Sequence, residues 1–284
     1  MKLNEYYRNY LSKLGQIYVE NEASNITKMV FESLANISRT DVLRNPEMEI
    51  ESHIFSSLNQ ALDQLLNHHP IQYVLGDAWF YHLKFKVSEA VLIPRPETEE
   101  LVEIVIQHLK KLNQKNILDI GTGSGCIPIS LKKNVPEINI TSVDLSTKAI
   151  DIASENANNH QTKIDFKALD FLDENNWENL DVFDVIISNP PYIPNVEIQS
   201  MDKHVTAFEP HLALFVPDDD PLIFYKAILR FSQNHLDKNG AIFLETHENF
   251  ADDVCSLFKD AGFDATVKND LLEKPRMVLI NRFH

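Results

Sequence analysis

The stretch NILDIGTGSGCIPISL, residues 116–131, decides the fold. An apolar run over 117–120 reads as a buried strand. It breaks into Gly121-Thr122-Gly123-Ser124-Gly125 before an apolar helix opens at Cys126. Three of the chain's seven glycines fall in these five residues. Glycine reaches positive φ at no steric cost and lets a ligand approach the backbone. The free N–H groups of the following helix favour an anion by about 0.3–1 kcal/mol. The dinucleotide fingerprint G-x-G-x-x-G is not met, because Cys126 stands where its third glycine belongs. No Gly-Lys-Ser/Thr follows, which excludes a Walker A loop. A tight strand-to-helix turn without a ligand is the bland alternative.

Outward from this loop, strands and helices alternate. Strands are expected over 138–143, 164–169, 182–188 and 241–245, with helices over 148–157 and 222–231 between them. Such alternation predicts an α/β fold with a doubly wound, mostly parallel sheet. Residues 264–268 and 277–281 lie close enough in sequence to pair as an antiparallel edge, making seven strands in a Rossmann-like sheet. Toward the N-terminus the period changes. Leu3, Tyr7, Tyr10, Leu11 and Leu14 share one helical face; Ile26, Met29, Val30, Leu34 and Ile37 share another; Ile54, Leu58, Leu62, Leu65 and Leu66 share a third. Residues 1–75 therefore read as a small helical bundle. Alternation through Phe80, Leu83, Phe85 and Val87 predicts a β-hairpin linker over 76–95, followed by a catalytic domain over 96–284.

Composition narrows the function classes. The chain has 284 residues, 44% of them hydrophobic, enough for a sizeable core. The net charge of −16 opposes a polyanion, so no direct nucleic-acid partner is expected. Cys126 and Cys255 make neither a disulfide framework nor a zinc spacing. The opening residues MKLNEYYRNYLSKLG contain no apolar leader, and a cytoplasmic monomer with no membrane partner is expected. The 11 histidines show no H-x-x-x-H pair, and no metal is expected.

Three further features join the glycine loop. Asp144 ends the second strand, about 20 residues on, where an acid binds a ribose diol in doubly wound folds. Two hydroxyls donating to one carboxylate are worth about 1.5–3 kcal/mol each. Its bland reading is a helix cap, a role that Ser146 already fills. Asp170-Phe171 ends the third strand, offering a carboxylate and an aromatic face, although Asp170 serves equally to cap a turn. Asn189-Pro190-Pro191-Tyr192 follows the fourth strand, where proline cannot continue a ladder. Together they describe a nucleoside pocket beside a stiff polar clamp.

With these residues the sequence resembles the class I S-adenosylmethionine-dependent methyltransferases. More narrowly, it is similar to the PrmC/HemK family of glutamine methyltransferases that act on peptide chain release factors. The resemblance covers nearly the whole chain. It rests on PIQYVLG (70–76), VLIPRPETE (91–99), DIGTGSG (119–125), NPPYIP (189–194), Phe208-Glu209-Pro210 with Ala213-Leu214-Phe215, and Asp270-Leu271 with Arg276-Met277-Val278. The resemblance implies S-adenosyl-L-methionine as cofactor and S-adenosyl-L-homocysteine as product. Gly121, Thr122, Gly123, Ser124 and Gly125 would line its methionine end, Asp144 its ribose, and Asp170 and Phe171 its adenine side. Asn189 would touch both cofactor and substrate, with Pro190, Pro191 and Tyr192 around the glutamine of a class I release factor's GGQ motif. Asn189, Pro190 and Tyr192 are then the candidate catalytic residues. Family members often carry Asp-Gly where this chain has Asp220-Pro221.

A carboxamide nitrogen is a poor nucleophile, because its lone pair is delocalised into the carbonyl. A site that accepts hydrogen bonds from both of its N–H groups leaves the lone pair aimed at the methyl. The Asn189 side-chain carbonyl is one acceptor and the Pro190 backbone carbonyl a second. Pro191 fixes φ near −65° and keeps Pro190 extended, so the turn is pre-shaped. Exocyclic amines of adenine in DNA or RNA pose the same problem, and enzymes acting on them carry the same clamp. The acidic balance opposes that reading. A methyltransferase acting on glutamine of ribosomal protein L3 is a nearer rival. Glu97, Thr98 and Glu99 read first as an ordinary helix start after Pro96; the resemblance adds that they border the active site.

Overall fold

The computed structural model describes residues 2–112 and 114–282. Five helices open the chain: α1 (Leu3–Leu14), α2 (Glu20–Ala35), α3 (Arg39–Arg44), α4 (Ser52–Leu66) and α5 (Ile71–Leu75). A hairpin of β1 (Asp77–Phe80) and β2 (Leu83–Lys86) precedes α6 (Pro96–Lys111). Alternation follows through β3 (Asn116–Ile120), α7 (Cys126–Asn134), β4 (Asn139–Asp144), α8 (Thr147–Asn159), β5 (Asp165–Ala168) and β6 (Phe183–Ser188). The remainder comprises β7 (Ile193–Pro194), α9 (Lys203–Phe208), β8 (Phe215–Val216), α10 (Ile223–His235), β9 (Leu236–Glu245), α11 (Ala251–Asp260), β10 (Phe263–Asn269) and β11 (Pro275–Arg282).

The chain divides into two compact units: residues 1–77 with 202–208, and residues 78–201 with 209–284. The first is helical. Leu3, Tyr10, Phe31, Leu58 and Leu65 are completely covered, because amphipathic helices can only bury their stripes against one another. The expected domain over 96–284 includes 202–208, whereas these residues join the helices. His204 donates through Nδ1–H to the His68 carbonyl, and the Phe208 ring lies 4.0 Å from that of His69.

The second unit is a seven-stranded sheet in the order β10-β11-β9-β6-β3-β4-β5. β5, β4, β3, β6 and β9 run parallel, with Ile117 paired to Ile140 on one side and to Val185 on the other. β11 is antiparallel to both β9 and β10. Side chains alternate between two faces: Leu118, Ile120, Ile186 and Leu244 enter one core, and Ile117, Val185, Ile187 and Phe243 the other. Each such burial is worth roughly 1.5–3 kcal/mol. After β5 the chain crosses to the opposite side of β3, so the ends of β3 and β6 form a topological switch point, where open α/β sheets bind ligands.

Candidate active site

The glycine loop and the NPPY turn meet at this switch point. A Cβ added to Gly121 would lie 3.9 Å from the Asn189 carbonyl oxygen. Gly121, Gly123 and Gly125 all have positive φ. Space around Gly123 is open, whereas a Cβ on Gly125 would meet Ala153 and Ile129 at 3.1 Å. Gly123 thus leaves room for a ligand, and Gly125 lets α8 pack against the loop. The Thr122 and Ser124 hydroxyls are buried beneath the loop, Thr122 against the Asp119 carboxyl and Ser124 beside Cys126, and α7 begins at the next residue but one.

Asp144 closes the loop from the side. Its Oδ2 accepts the Gly123 N–H and its Oδ1 the Ser146 N–H, both at 2.9 Å. Ser146 caps α8 by accepting from the Ala149 N–H, leaving Asp144 free of that duty. Burial raises the Asp144 carboxyl above its ordinary range, opposed by the two backbone donors. Each oxygen retains lone-pair capacity for a diol. Beneath the loop, Asp119 is wholly covered, and burial pushes it up to about 7 despite the nearby Thr122 and Ser142 hydroxyls.

At the end of β5 the outcome is mixed. Asp170 Oδ1 accepts the Leu172 N–H, the turn-capping role foreseen as its alternative. The Phe171 ring is 5% exposed and packs in the core, 5.2 Å from Phe231 and 5.5 Å from Trp177. The exposed apolar side chain after β4 is Leu145, at 55%. Sequence reading passed over it because it lies inside a polar stretch.

The NPPY turn is tied down on three sides. The Tyr192 and Ile193 N–H groups both donate to the Leu214 carbonyl, and β7 pairs with β8 in parallel. Asn189 Nδ2 donates to Thr98 Oγ1 at 3.0 Å. The Tyr192 hydroxyl donates to Glu245 Oε1 at 3.2 Å, and Thr98 Oγ1 donates to Glu245 Oε2 at 2.6 Å. Burial pushes Glu245 up to about 7, against the pull of its two donors and Arg276. Burial likewise raises the Tyr192 phenol, so it stays protonated and able to donate.

Thr98 is delivered by the IPRPETE stretch. Arg95 is the N-cap of α6, Pro96 its first residue, and Thr98 sits 3% exposed in the first turn. Glu99 accepts the Tyr81 N–H, and Glu103 the Tyr81 hydroxyl. Arg95 pairs with Glu209 at 2.5 Å, and Glu209 also accepts the Ile93 N–H at 3.1 Å. Two stretches more than 100 residues apart are joined by this one carboxylate. Sequence reading missed Glu245 as a site residue. Its signal was present: an acid ending an otherwise apolar strand, at the edge where ligands bind.

A glycine loop, a ribose-type acid and an amide clamp at the switch point of this sheet define a Rossmann-like methyltransferase. Residues 98–208 match the methyltransferase small domain, and residues 5–76 match the PrmC N-terminal domain. Along its length the chain is 37% identical to a release factor glutamine methyltransferase of Flavobacterium psychrophilum, covering 99% of both chains. It is 36% identical to one of Streptococcus pneumoniae, again over 99% of both. One of Bacteroides thetaiotaomicron is 32% identical, covering 95% of this chain and 96% of the relative. The chain belongs to the release factor glutamine methyltransferase family.

Proposed function

We propose that the protein transfers a methyl group from S-adenosyl-L-methionine to the side-chain amide nitrogen of a glutamine in a class I peptide chain release factor. The single observation that carries this reading is the fixed orientation of Asn189. Its Nδ2 donates one N–H to Thr98, which turns the amide so that Oδ1, with no protein donor against it among the described residues, is the acceptor offered to a ligand. A carbonyl acceptor suits a substrate that presents N–H donors. The full-length likeness to relatives named for this activity favours glutamine over the exocyclic amine of a nucleic-acid base.

The cradle suits the cofactor: an open Gly123 at positive φ, and an Asp144 carboxylate with lone pairs to spare beside it. Gly121 to Gly125 would line the methionine end and Asp144 would accept from the ribose hydroxyls. Leu145 would cover one face of the adenine, with Asp170 and the edge of Phe171 beside it. When bound, S-adenosylmethionine supplies an electrophilic methyl on a sulfonium that departs as neutral S-adenosylhomocysteine. Asn189 Oδ1 and the Pro190 carbonyl accept from the two amide N–H groups, turning the nitrogen lone pair toward the methyl; the methylated nitrogen then loses one of these protons to solvent. Pro191 and Tyr192 hold the flat amide in that plane. Such alignment supplies about 7–11 kcal/mol of a barrier when complete. Replacing Asn189 with Ala should abolish turnover while cofactor binding falls modestly; equal loss of both would assign Asn189 to the cofactor pocket instead.

Residues 1–75 are the proposed substrate-recognition domain. Among the described residues no helix is long and apolar enough to cross a membrane.

A further inference from the structure

A carboxyl group buried as deeply as Glu245 is costly unless its position serves a purpose. It ends β9, directly beside the end of β6, because Ser188 pairs with Leu244 and the two chains leave the sheet together. Its two oxygens separately take the Thr98 and Tyr192 hydroxyls, and the Tyr225 hydroxyl donates to its backbone carbonyl at 3.0 Å. Thr98 links it onward to Asn189.

Hydrogen-bond direction runs one way along this chain. An ionised carboxylate only accepts, so the Thr98 proton must point at Glu245. The Thr98 oxygen then has only lone pairs to offer, and Asn189 must meet it with its NH₂ group. The amide oxygen is left facing the site. In the flipped amide, N–H donors would face the substrate's own N–H donors, a repulsive arrangement. We propose that Glu245 is a positioning residue that sets the orientation of the Asn189 amide through Thr98, so that a carbonyl meets the substrate amide. The proposal rests on the glutamine-methylation reading above and deepens it.

Protonation of Glu245 would undo the relay. A protonated carboxyl can donate to Thr98, whose own proton is then free to turn toward Asn189 and favour the flipped amide. Several groups set this balance. Arg276 of β11 favours the ionised form, as do the Thr98 and Tyr192 donors; Glu97 of α6 opposes it. Arg276 is itself held by Asp270 and by Glu248, while His247 lies beside the Tyr192 ring and Tyr225 beneath the strand end. Burial opposes ionisation more strongly than any of them, which places the transition near neutrality.

The test measures methyl transfer to a release factor glutamine as a function of pH, with cofactor affinity measured by calorimetry in parallel. The wild type should lose kcat as pH falls through about 7. Glu245→Gln, which cannot ionise, should lose that acid limb. Thr98→Val should lower kcat by about 10- to 100-fold, the cost of a small misplacement at a reacting group, with cofactor affinity unchanged. Thr98→Ser, which restores the hydroxyl, should recover it. Should Glu245→Gln fail to fold, the pH profile of Thr98→Val decides the matter: with the link between Glu245 and Asn189 cut, the acid limb should vanish there and return in Thr98→Ser, and its persistence in Thr98→Val would overturn the relay. Wild-type kcat in Thr98→Val, or an unaltered acid limb in Glu245→Gln, would overturn the relay. A wild-type enzyme that transfers nothing to glutamine would instead overturn the reading beneath it, and the relay with it.

Discussion

Gly123 and Gly125 both sit at positive φ in the same loop, yet alanine should be tolerated very differently at the two positions. Gly123 has a φ of 53° with no atom within 4 Å of the site a Cβ would take. The penalty there is the backbone term alone, about 1–2 kcal/mol for an L-residue in the left-handed region. Gly125 has a φ of 78°, and its added Cβ would lie 3.1 Å from the Ala153 Cβ, 3.3 Å from the Ala153 Cα and 3.1 Å from Ile129 Cδ1. Ile129 can rotate its tip, but Ala153 is fixed in α8 and fully covered, so relief requires the helix to shift. Overpacking of this kind costs about 1–3 kcal/mol in addition. Gly125→Ala should therefore cost about 2–5 kcal/mol in all. Urea unfolding without cofactor reads the difference. Trp177 is buried in the sheet unit and Trp79 is 66% exposed, so the fluorescence change follows Trp177. A gap of about 2 kcal/mol between the variants separates their midpoints by about 1 M for an m-value near 2 kcal/mol/M. Equal midpoints, or a less stable Gly123→Ala, would refute the assignment of Gly125 to packing and Gly123 to the ligand.

Asp119→Asn should stabilise the protein above neutral pH. The folded-state carboxyl is raised to about 7 from 3.8, so the native state holds a proton that the unfolded chain has released; that stabilisation is present below the unfolded value and is lost as pH rises through the folded one. The variant lacks this loss, and chemical denaturation at pH 5 and pH 8 should show its advantage growing with pH by a few kcal/mol. Glu209→Ala should cost about 2–4 kcal/mol, since it leaves Arg95 and the Ile93 N–H without their partner, tempered by the one-third exposure of Arg95; a double-mutant cycle with Arg95→Ala checks the coupling. Asp144→Ala should weaken cofactor binding by at least about 100-fold, the worth of two charge-assisted hydrogen bonds, as read by titration calorimetry.

The parallel sheet was legible because strands buried on both faces are continuously apolar, and the glycine loop marked its first ligand-bearing end. The antiparallel pairing of β10 with β11 followed from their closeness in sequence, but not the placement of β11 against β9, which depends on long-range register. The Asn189 clamp and Asp144 were visible from their positions at strand ends. The partners of that clamp were not: Thr98 and Glu245 are 147 residues apart in sequence and meet only because α6 packs beside β9. Glu209 shows the same limit, since an acid beside a proline reads as loop until Arg95 is found against it. Phe171 is an aromatic at a strand end, yet its ring packs into the core. One-dimensional spacing distinguishes a strand end from a strand middle, but it does not say which way an end residue turns.

Glutamine methylation is tested most directly by incubating the protein with S-adenosylmethionine and a class I release factor, with ribosomal protein L3 and DNA in separate reactions, and locating the product by tandem mass spectrometry. The mass of one added CH₂ is expected on a glutamine side-chain amide of the release factor, and should be lost when Asn189 is replaced by Ala. Methylation confined to L3 or to nucleic acid would contradict the release-factor assignment.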